Sequence, residues 1–444
     1  MSEICIIGAG YVGLATAACL AEFGNDVACV DIDETKLLQL KAGAVPFYEP
    51  GLSEMISRNV TGGRLHFTSR TEDAVRKSTV VFIAVGTPQG EDGHADLTQV
   101  RAAAMNIARA LNGPKVVVNK STSPVETGDL IASIIREHRA EPYEVSVVSN
   151  PEFFREGSAI ADFMHPERII IGVSDKDSAE VMRDLYSPIS APLLVTDVKT
   201  AEMIKYAANA FLAMKISFAN EIARICHEVG AEFKDVIVGV GSDTRIGPEF
   251  LNAGLGFGGS CFPKDVMALR RVSEKHGLEP ALLGAILDVN ETQIEWSLDR
   301  IKEGLGNLKG ARVGVLGLAF KPDTDDVRES PAIALIERLL DEGATVSAHD
   351  PVAAQSAQKI LGERITYGAT TEDVARGADA LVLATDWNEY KQLDLGHLRL
   401  LMKGRVLFDG RNVYDPHKAL AAGFAYIGVG RLAAGTFSKV ANEK

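Results

Sequence analysis

No apolar run in the 444-residue chain reaches the ~18 residues that a membrane-spanning helix needs. Basic residues are in deficit. The 46 Lys and Arg stand against 60 Asp and Glu, a formal net charge of -14, which argues against nucleic acid as a partner because phosphate binding relies on a basic surface. A small anionic ligand held by a few local cations stays open. Cysteine is scarce too: Cys5, Cys19, Cys29, Cys226 and Cys261 are odd in number and lack metal-ligand spacing, so neither a disulfide framework nor a metal site is expected. The opening MSEICIIGAG begins a strand with no basic segment or cleavage site before it, so no secretory leader is expected and a cytoplasmic location is. With 46% hydrophobic and 24% charged residues the composition is that of a soluble globular protein. The length exceeds the ~250 to 300 residues at which single cores stop growing, so two or three domains are expected.

What is present is alternation. SEICIIGAG reads as a buried strand, YVGLATAACLAEFG as a helix closed by Gly24, and DVACVDID as a second strand, a βαβ unit. Further strands are expected at VVFIAVGTP, KVVVNKSTSP and VSVVSNPEF, which implies a mostly parallel sheet with helices on both faces. Near Thr196 the texture changes, and TAEMIKYAANAFLAMKISFANEIARICHEVG reads as one long helix without Pro or internal Gly. Helical text continues to about Gly304. Then KGARVGVLGLAFKPDTDD restarts the alternation, with strands at RVGVLGLAF, TVSAHD, ALVLATD and VLFDG, so a second α/β domain is expected. The polar tail after Arg431 is expected to fray.

Gly8, Gly10 and Gly13 form GxGxxG between a strand and a helix, and Asp31 closes the next strand. The first Gly makes the turn, the second admits a pyrophosphate to the helix N-terminus, and the third lets helix and strand pack closely. Asp31 would accept hydrogen bonds from ribose hydroxyls and repel a 2′-phosphate, which favours NAD over NADP. Asp33 competes for that role although it lies past the strand end, and Lys36 either sits near the same ribose or is a solvated charge. A second loop, GVLGLAFKPDTDDVRES, follows a strand as a phosphate loop would but lacks the full fingerprint. Its Lys321 and Arg328 either meet a second phosphate-bearing ligand or are surface charges on a connection. Lys205 and Asn209 stand at i and i+4 of the long helix, where they either act together on a developing oxyanion or form a solvated face.

Cys261 follows GFGGS and precedes Pro263, with VMALRRVSEKHG continuing at helical period. A thiol there feels the positive end of a helix dipole and nearby Lys264, both of which favour the thiolate. The reading as a small buried hydrophobe suits the other four cysteines, which lie in strand or helix runs, and suits Cys261 poorly. A nucleophilic cysteine beside a nicotinamide cofactor points to oxidation of an aldehyde through a thiohemiacetal and a thioester.

The ordered segments GAGYVGL, EPGL, GTP, KSTSPVETGD, SNPEFFREG, KYAANAFLAMKISFANE, RIGPEFLNAGLGFGGSCFPKD and FKPDTDDVRES together resemble the UDP-glucose/GDP-mannose dehydrogenase family along essentially the whole chain, and GLGFGGSCFPKD looks most like its UDP-glucose branch. The resemblance implies two Rossmann-like doubly wound domains, NAD-binding over 1–196 and UDP-sugar-binding over 305–444. They are joined by a central helical and dimerising region over 197–304 that carries the cysteine loop. It implies conversion of UDP-glucose, two NAD and water into UDP-glucuronate and two NADH, for polysaccharide biosynthesis, in a homodimer or higher homo-oligomer. Carried over by position, Cys261 is the nucleophile, Lys205 and Asn209 stabilise the C6 oxyanion, Asp265 with Thr122 organises water or proton transfer, and Glu152 activates the hydrolytic water. Gly8, Gly10, Tyr11, Val12, Gly13, Asp31, Lys36, Thr87, Thr122, Glu156, Lys264 and Arg328 would contact NAD. Glu152, Phe153, Phe154, Arg155, Lys205, Asn209, Phe250, Leu251, Asn252, Ala253, Gly254, Gly258, Lys321 and Arg411 would hold UDP-glucose, and Arg245 would reach the neighbouring subunit's nucleotide sugar. The family's usual KSTVPVGT is KSTSPVET here and its NPEFL is NPEFF; both departures flank Thr122 and Glu152. Two rivals are a catalytically silent nucleotide-sugar binder and a simple two-electron dehydrogenase, and within the family the alternative is a related nucleotide-sugar dehydrogenase acting on GDP-mannose or another UDP-hexose. The joint presence of Cys261, Lys205, Asn209, Asp265 and Glu152 argues against the first, and NADH stoichiometry separates the second.

Overall fold

The computed structural model describes residues 2–431, so the tail after Arg431, expected to fray, lies outside the described residues. The chain divides into two compact units, Met1–Ala208 with Met267–Leu278, and Asn209–Val266 with Glu279–Lys444. It passes from one to the other inside two helices, Val198–Val229 and Phe262–Lys275.

The first unit is built on eight strands: β1 (Glu3–Ile7), β2 (Asp26–Val30), β3 (Leu65–Thr68), β4 (Val80–Ile83), β5 (Lys115–Asn119), β6 (Val145–Ser149), β7 (Ile169–Gly172) and β8 (Leu193–Thr196). They lie in the order β3-β2-β1-β4-β5-β6-β7-β8. The first six are parallel throughout, the order of a doubly wound dinucleotide-binding sheet. β7 is joined antiparallel through the single pair Ser149–Gly172, and β8 continues parallel to β7. Helices cover both faces, so a central strand such as β4, VVFI, is buried at every position and reads as a continuous apolar run. The helix Tyr11–Glu22 is buried from Gly13 to Ala21, and its alanines let it lie close on the sheet. Gly13 makes that approach possible: a Cβ there would stand 1.9 Å from the Gly8 carbonyl oxygen.

The second unit repeats the plan. Strands β9 (Arg312–Leu316), β10 (Thr345–His349), β11 (Thr366–Tyr367), β12 (Ala380–Leu383), β13 (Val406–Asp409) and β14 (Ala425–Gly428) form a sheet ordered β11-β10-β9-β12-β13-β14, parallel at every pairing. The core below it gathers Val313, Val315, Leu335, Ile336, Val382 and Phe408 with Ala219 and Ala223 of the long helix and Leu298 and Ile301 of the helix Ala281–Leu305.

Candidate active site

In the first unit the loop after β1 meets the end of β2 through Asp31. Its Oδ2 accepts the Ala9 N–H at 2.9 Å and the Lys36 Nζ at 3.0 Å, and its Oδ1 accepts the Asp33 N–H at 3.0 Å. Burial alone would raise the Asp31 carboxyl, but the N–H groups of Asp33 and Ala9 and the Lys36 ammonium outweigh it and hold the group below the usual carboxylate range. Asp33 serves instead as the N-cap of the helix Glu34–Lys41, accepting the Lys36 N–H. The loop fits a pyrophosphate: nothing stands within 4 Å of a Cβ built at Gly10, the N-cap of Tyr11–Glu22. Val12 is half-buried in the first turn of that helix. The Tyr11 hydroxyl donates to Glu49, whose carboxylate also accepts the N–H of Gly157 and of Ala159. Burial, Glu49 and Glu156 all push that phenol up, so Glu156 lies within electrostatic reach of Tyr11.

A second cluster forms where β4, β5 and β6 end, the position at which open α/β sheets bind ligands. Thr87 Oγ1 donates to the Thr122 carbonyl at 2.6 Å, and Thr122 Oγ1 to Glu152 Oε1 at 3.5 Å. Lys205 Nζ donates to the same Oε1 at 3.1 Å, and the Phe154 N–H donates to Oε2 at 2.6 Å. Both members of this ion pair are almost completely buried. Lys205 also stands 5.3 Å from the centroid of the Phe153 ring, and Arg168 4.0 Å from it. Arg155 turns elsewhere: its exposed guanidinium forms a two-point ion pair with Asp162.

In the second unit Cys261 occupies the N-cap of the helix Phe262–Lys275, for its carbonyl accepts the first intrahelical bond, from the Asp265 N–H at 2.8 Å. Its sulfur is 3.6 Å from Ser260 Oγ, and the residue is partly exposed. The other cysteines are buried, and burial pushes every one of their thiols up, Cys5 and Cys19 to about 12. One turn into the helix, the fully buried Asp265 takes Asn209 Nδ2 on Oδ2 at 2.6 Å and Lys264 Nζ on Oδ1 at 2.5 Å. Asn209 is itself one turn beyond Lys205 on the helix Val198–Val229.

The segment before the cysteine is clamped by polar side chains. Asn220 Oδ1 accepts the Gly254 N–H at 2.8 Å, Gln293 Nε2 donates to the Gly254 carbonyl at 2.7 Å, and Asn290 makes a reciprocal pair with the Phe257 backbone. Phe250 adopts φ 63°, Leu251 and Ala253 are buried, and Asn252 is exposed. A Cβ at Gly258 would stand 2.1 Å from the Glu329 carbonyl oxygen, so this position tolerates only glycine. Arg411 follows β13 and reaches back across the sheet, Nε to the Ala384 carbonyl after β12 at 2.7 Å and an Nη to the Phe320 carbonyl after β9 at 3.1 Å. It therefore spans the switch point of the second sheet, with burial depressing the guanidinium against the opposing charges of Asp386 and Asp409. Lys321 stands 5.8 Å from the centroid of the Phe320 ring. Arg328 and Arg245 are exposed, each in a two-point pair with the aspartate two residues before it, Asp326 and Asp243.

Family models for the UDP-glucose/GDP-mannose dehydrogenase family match the chain in order: the NAD binding domain at 2–190, the central domain at 199–292 and the UDP binding domain at 314–416. The chain belongs to this family. It is similar to a UDP-glucose 6-dehydrogenase of Rhizobium meliloti, 49% identical over 97% of this chain and 99% of that one. It is also similar to one of Bacillus subtilis, 48% identical over 97% and 94%. Among solved structures, a UDP-glucose dehydrogenase of the archaeon Pyrobaculum islandicum is 43% identical over 97% of this chain and 98% of that chain, with a TM-score of 0.92.

Against the family pattern, the structure adds residues that motif reading passed over. Glu49 stood inside the quoted EPGL without a role, and Asn220, Asn290 and Gln293 were hidden in helical text, where the signal was an amide on an otherwise apolar face. Lys120, two residues before Thr122, was overlooked as part of KSTSP. Among the described residues no group of three or more His, Cys, Asp or Glu side chains is placed to hold a metal, and no helix is long and apolar enough to cross a membrane.

Proposed function

We propose that this member of the family is an NAD-dependent oxidoreductase that takes UDP-glucose through a four-electron oxidation at C6 to UDP-glucuronate, keeping the aldehyde on Cys261 between the two hydride transfers. The observation that carries the covalent part is the contrast among the thiols: Cys261 alone of the five is partly exposed, at a helix N-terminus behind a glycine loop, while the others are buried. The 48–49% identity to UDP-glucose 6-dehydrogenases over nearly the whole chain supports the substrate. The functional division follows 1–196, 197–304 and 305–444.

NAD, when bound, supplies the hydride acceptor for both oxidations, a fresh molecule for each. Asp265, ordered by Asn209 and Lys264, takes up the C6 hydroxyl proton together with Thr122 and water. Lys205 and Asn209 hold the negative charge that develops on the C6 oxygen. The Cys261 sulfur then bonds to C6 of the aldehyde, and loss of the second hydride leaves a thioester. Glu152 takes a proton from water as the water oxygen attacks the thioester carbon; the C–S bond breaks, the thiolate leaves and the carboxylate is released. Gly8, Gly10, Tyr11, Val12, Gly13, Asp31, Lys36, Thr87, Glu156, Lys264 and Arg328 bind the cofactor. Phe153, Phe154, Arg155, Phe250 to Gly254, Gly258, Lys321 and Arg411 bind the nucleotide sugar, which Arg245 of a neighbouring subunit completes in a cytoplasmic homo-oligomer.

The test combines an assay over UDP-glucose, UDP-galactose, UDP-N-acetylglucosamine and GDP-mannose with NADH counting and intact-protein mass measurement on Cys261→Ala and Cys261→Ser. The expected result is two NADH per UDP-glucose in the native enzyme, an ester adduct that accumulates on Cys261→Ser, and no adduct with at most one NADH on Cys261→Ala. UDP-glucuronate with two NADH from Cys261→Ala at the native rate would make the cysteine structural.

A further inference from the structure

Lys120 follows β5 directly and is buried, a costly place for an ammonium group. Its Nζ donates to Asn150 Oδ1 at 3.1 Å and to the Tyr186 hydroxyl at 3.4 Å. Asn150 is itself fixed, accepting the Tyr186 hydroxyl at 2.5 Å and donating to the Ile170 carbonyl at 2.8 Å. These partners are neutral. The carboxylate that attracts the ammonium is that of Glu152, which takes its direct hydrogen bond from Lys205 instead. Both phenylalanines of the NPEFF loop carry cations near their rings: Lys120 stands 5.3 Å from the Phe154 centroid, while Lys205 and Arg168 flank Phe153. The loop that bears Glu152 is thus held from two sides, and Phe154, where the family usually has Leu, supplies the ring on the Lys120 side.

We propose that Lys120 is a positioning residue for Glu152: its ammonium, anchored by Asn150 and Tyr186 and set beside the Phe154 ring, holds the NPEFF loop and the carboxylate it bears in register for hydrolysis of the thioester, without touching substrate or water. The inference rests on the water-activating role given to Glu152 above. Lys205 cannot serve alone in that step, because its charge is also directed at the C6 oxygen; a second fixed cation adds to the hold on Glu152. The charged and titratable groups around Lys120 are Glu152 on its loop, Lys205 on the long helix, Cys19 on the helix Tyr11–Glu22 and Tyr186 on the helix Lys176–Tyr186. Asp162 and Arg168 line the same pocket. Burial depresses the ammonium to about 8, opposed by Glu152 and reinforced by Lys205. Lys120 is therefore charged below that pH and loses its charge as pH rises through it.

The experiment is single-turnover rapid quench on the full-length enzyme, with intact-protein mass for the Cys261 adduct and absorbance for NADH, across pH 6.5 to 9.5 (roughly the span in which a group near 8 titrates). Native enzyme, Lys120→Met, Lys120→Arg and Glu152→Gln are compared. In Lys120→Met the first hydride transfer stays within about twofold of native while hydrolysis slows about tenfold or more, so the thioester accumulates. Native hydrolysis falls as pH rises through about 8, and Lys120→Arg stays flat to higher pH because a guanidinium keeps its charge. Native-like hydrolysis in Lys120→Met, or equal slowing of both steps, overturns the proposal. Should Lys120→Met not fold, a fall at the same pH in Lys120→Arg and native enzyme overturns it. Adduct in Glu152→Gln but not in Lys120→Met removes this proposal alone; no adduct in Glu152→Gln removes the role of Glu152 and this proposal with it.

Discussion

Lys205→Met takes the ammonium away from a carboxylate that is only 4% exposed. Glu152 Oε2 keeps the Phe154 N–H at 2.6 Å, but Oε1 retains only the long contact of 3.5 Å from Thr122 Oγ1. Breaking one side of a buried pair in this way costs about 3 to 5 kcal/mol, because the remaining carboxylate stays buried without its hydrogen-bonded cation. In a folded body of roughly 200 residues each kcal/mol moves the midpoint by about 2 to 4 °C, so the transition of the first unit should drop by about 6 to 20 °C. Glu152→Gln should do comparable damage from the other side, by removing the carboxylate charge that Lys205 is buried against. The double variant removes both charges and should recover to within about 2 kcal/mol of native stability, a coupling of about 4 kcal/mol or more. Scanning calorimetry of the four proteins without ligands closes the cycle. Turnover should not recover with stability: the double variant should remain at least about a hundredfold slower than native, since the proposed donor to the C6 oxygen and the proposed base are both gone. Single variants within about 0.5 kcal/mol of native would refute the reasoning, because a buried charge stripped of its direct ion partner cannot be that cheap.

Two further outcomes follow from carboxylates in the first unit. Asp31→Ser should lower kcat/KM for NAD, since the Ala9 and Asp33 N–H groups and Lys36 lose their acceptor. NADP use should rise only partly, because removing a repulsion does not create a phosphate site; native kcat/KM values that are equal for the two cofactors would sink this. Glu202 is buried and accepts the N–H of Glu126 and of Gly128, both at 2.8 Å, at the start of the helix Thr127–His138. Burial lifts its carboxyl to about 7 against those two N–H bonds, from an ordinary value of 4.5. The folded state therefore holds a proton that the unfolded chain has released between those values, and the stability this contributes is present at low pH and lost as pH rises through about 7. Unfolding at pH 5 and pH 8 should show Glu202→Gln losing on the order of 2 kcal/mol of the native pH dependence; an unchanged difference between the two proteins would remove the assignment.

The parts of the fold legible in the sequence were those with local signals. GxGxxG, the run of thirty-odd helical residues to Val229, and the central strands that run apolar into a polar or turn signal are readable because their period or turn chemistry is written within a few positions. Strands β3, β7, β8, β11 and β14 are not expected from the sequence; all lie toward the edges of their sheets, where pairing is set by neighbours far away in the chain. Asp33 illustrates the same limit at the site. As a residue type it rivalled Asp31, and only the backbone shows that it caps a helix while Asp31 holds the glycine loop. Lys120 was unreadable for another reason: a lysine in a polar loop is normally solvated, and its burial depends on Asn150 and Tyr186, thirty and sixty-six residues on.

The repeated sheet order also explains why one chain can hold two different nucleotide groups with the same scaffold. Gly8 N–H bonds to the Val30 carbonyl at 2.8 Å, and Gly317 N–H bonds to the His349 carbonyl at 2.8 Å, so the loops after β1 and β9 leave their sheets in the same way. Each second strand is followed by an aspartate aimed at that loop, Asp31 after β2 and Asp350 after β10. Asp31 accepts three donors, and a carboxylate offers about four lone-pair sites, so it retains capacity for a ribose hydroxyl. Asp350 accepts five: the N–H groups of Leu318, Ala319, Val352 and Ala353 and the Trp387 indole N–H. It is saturated and buried, so it braces the loop and has nothing left for a ligand. On the proposed function, recognition in the second sheet would then fall to cations at the carboxyl ends of its strands, where Arg411 lies across the loops after β9 and β12 and Lys321 stands near the Phe320 ring. On that reading, an acid free to read ribose in one copy and a cation placed to meet phosphate in the other would be the physical difference between a dinucleotide site and a nucleoside-diphosphate site built on the same strand order.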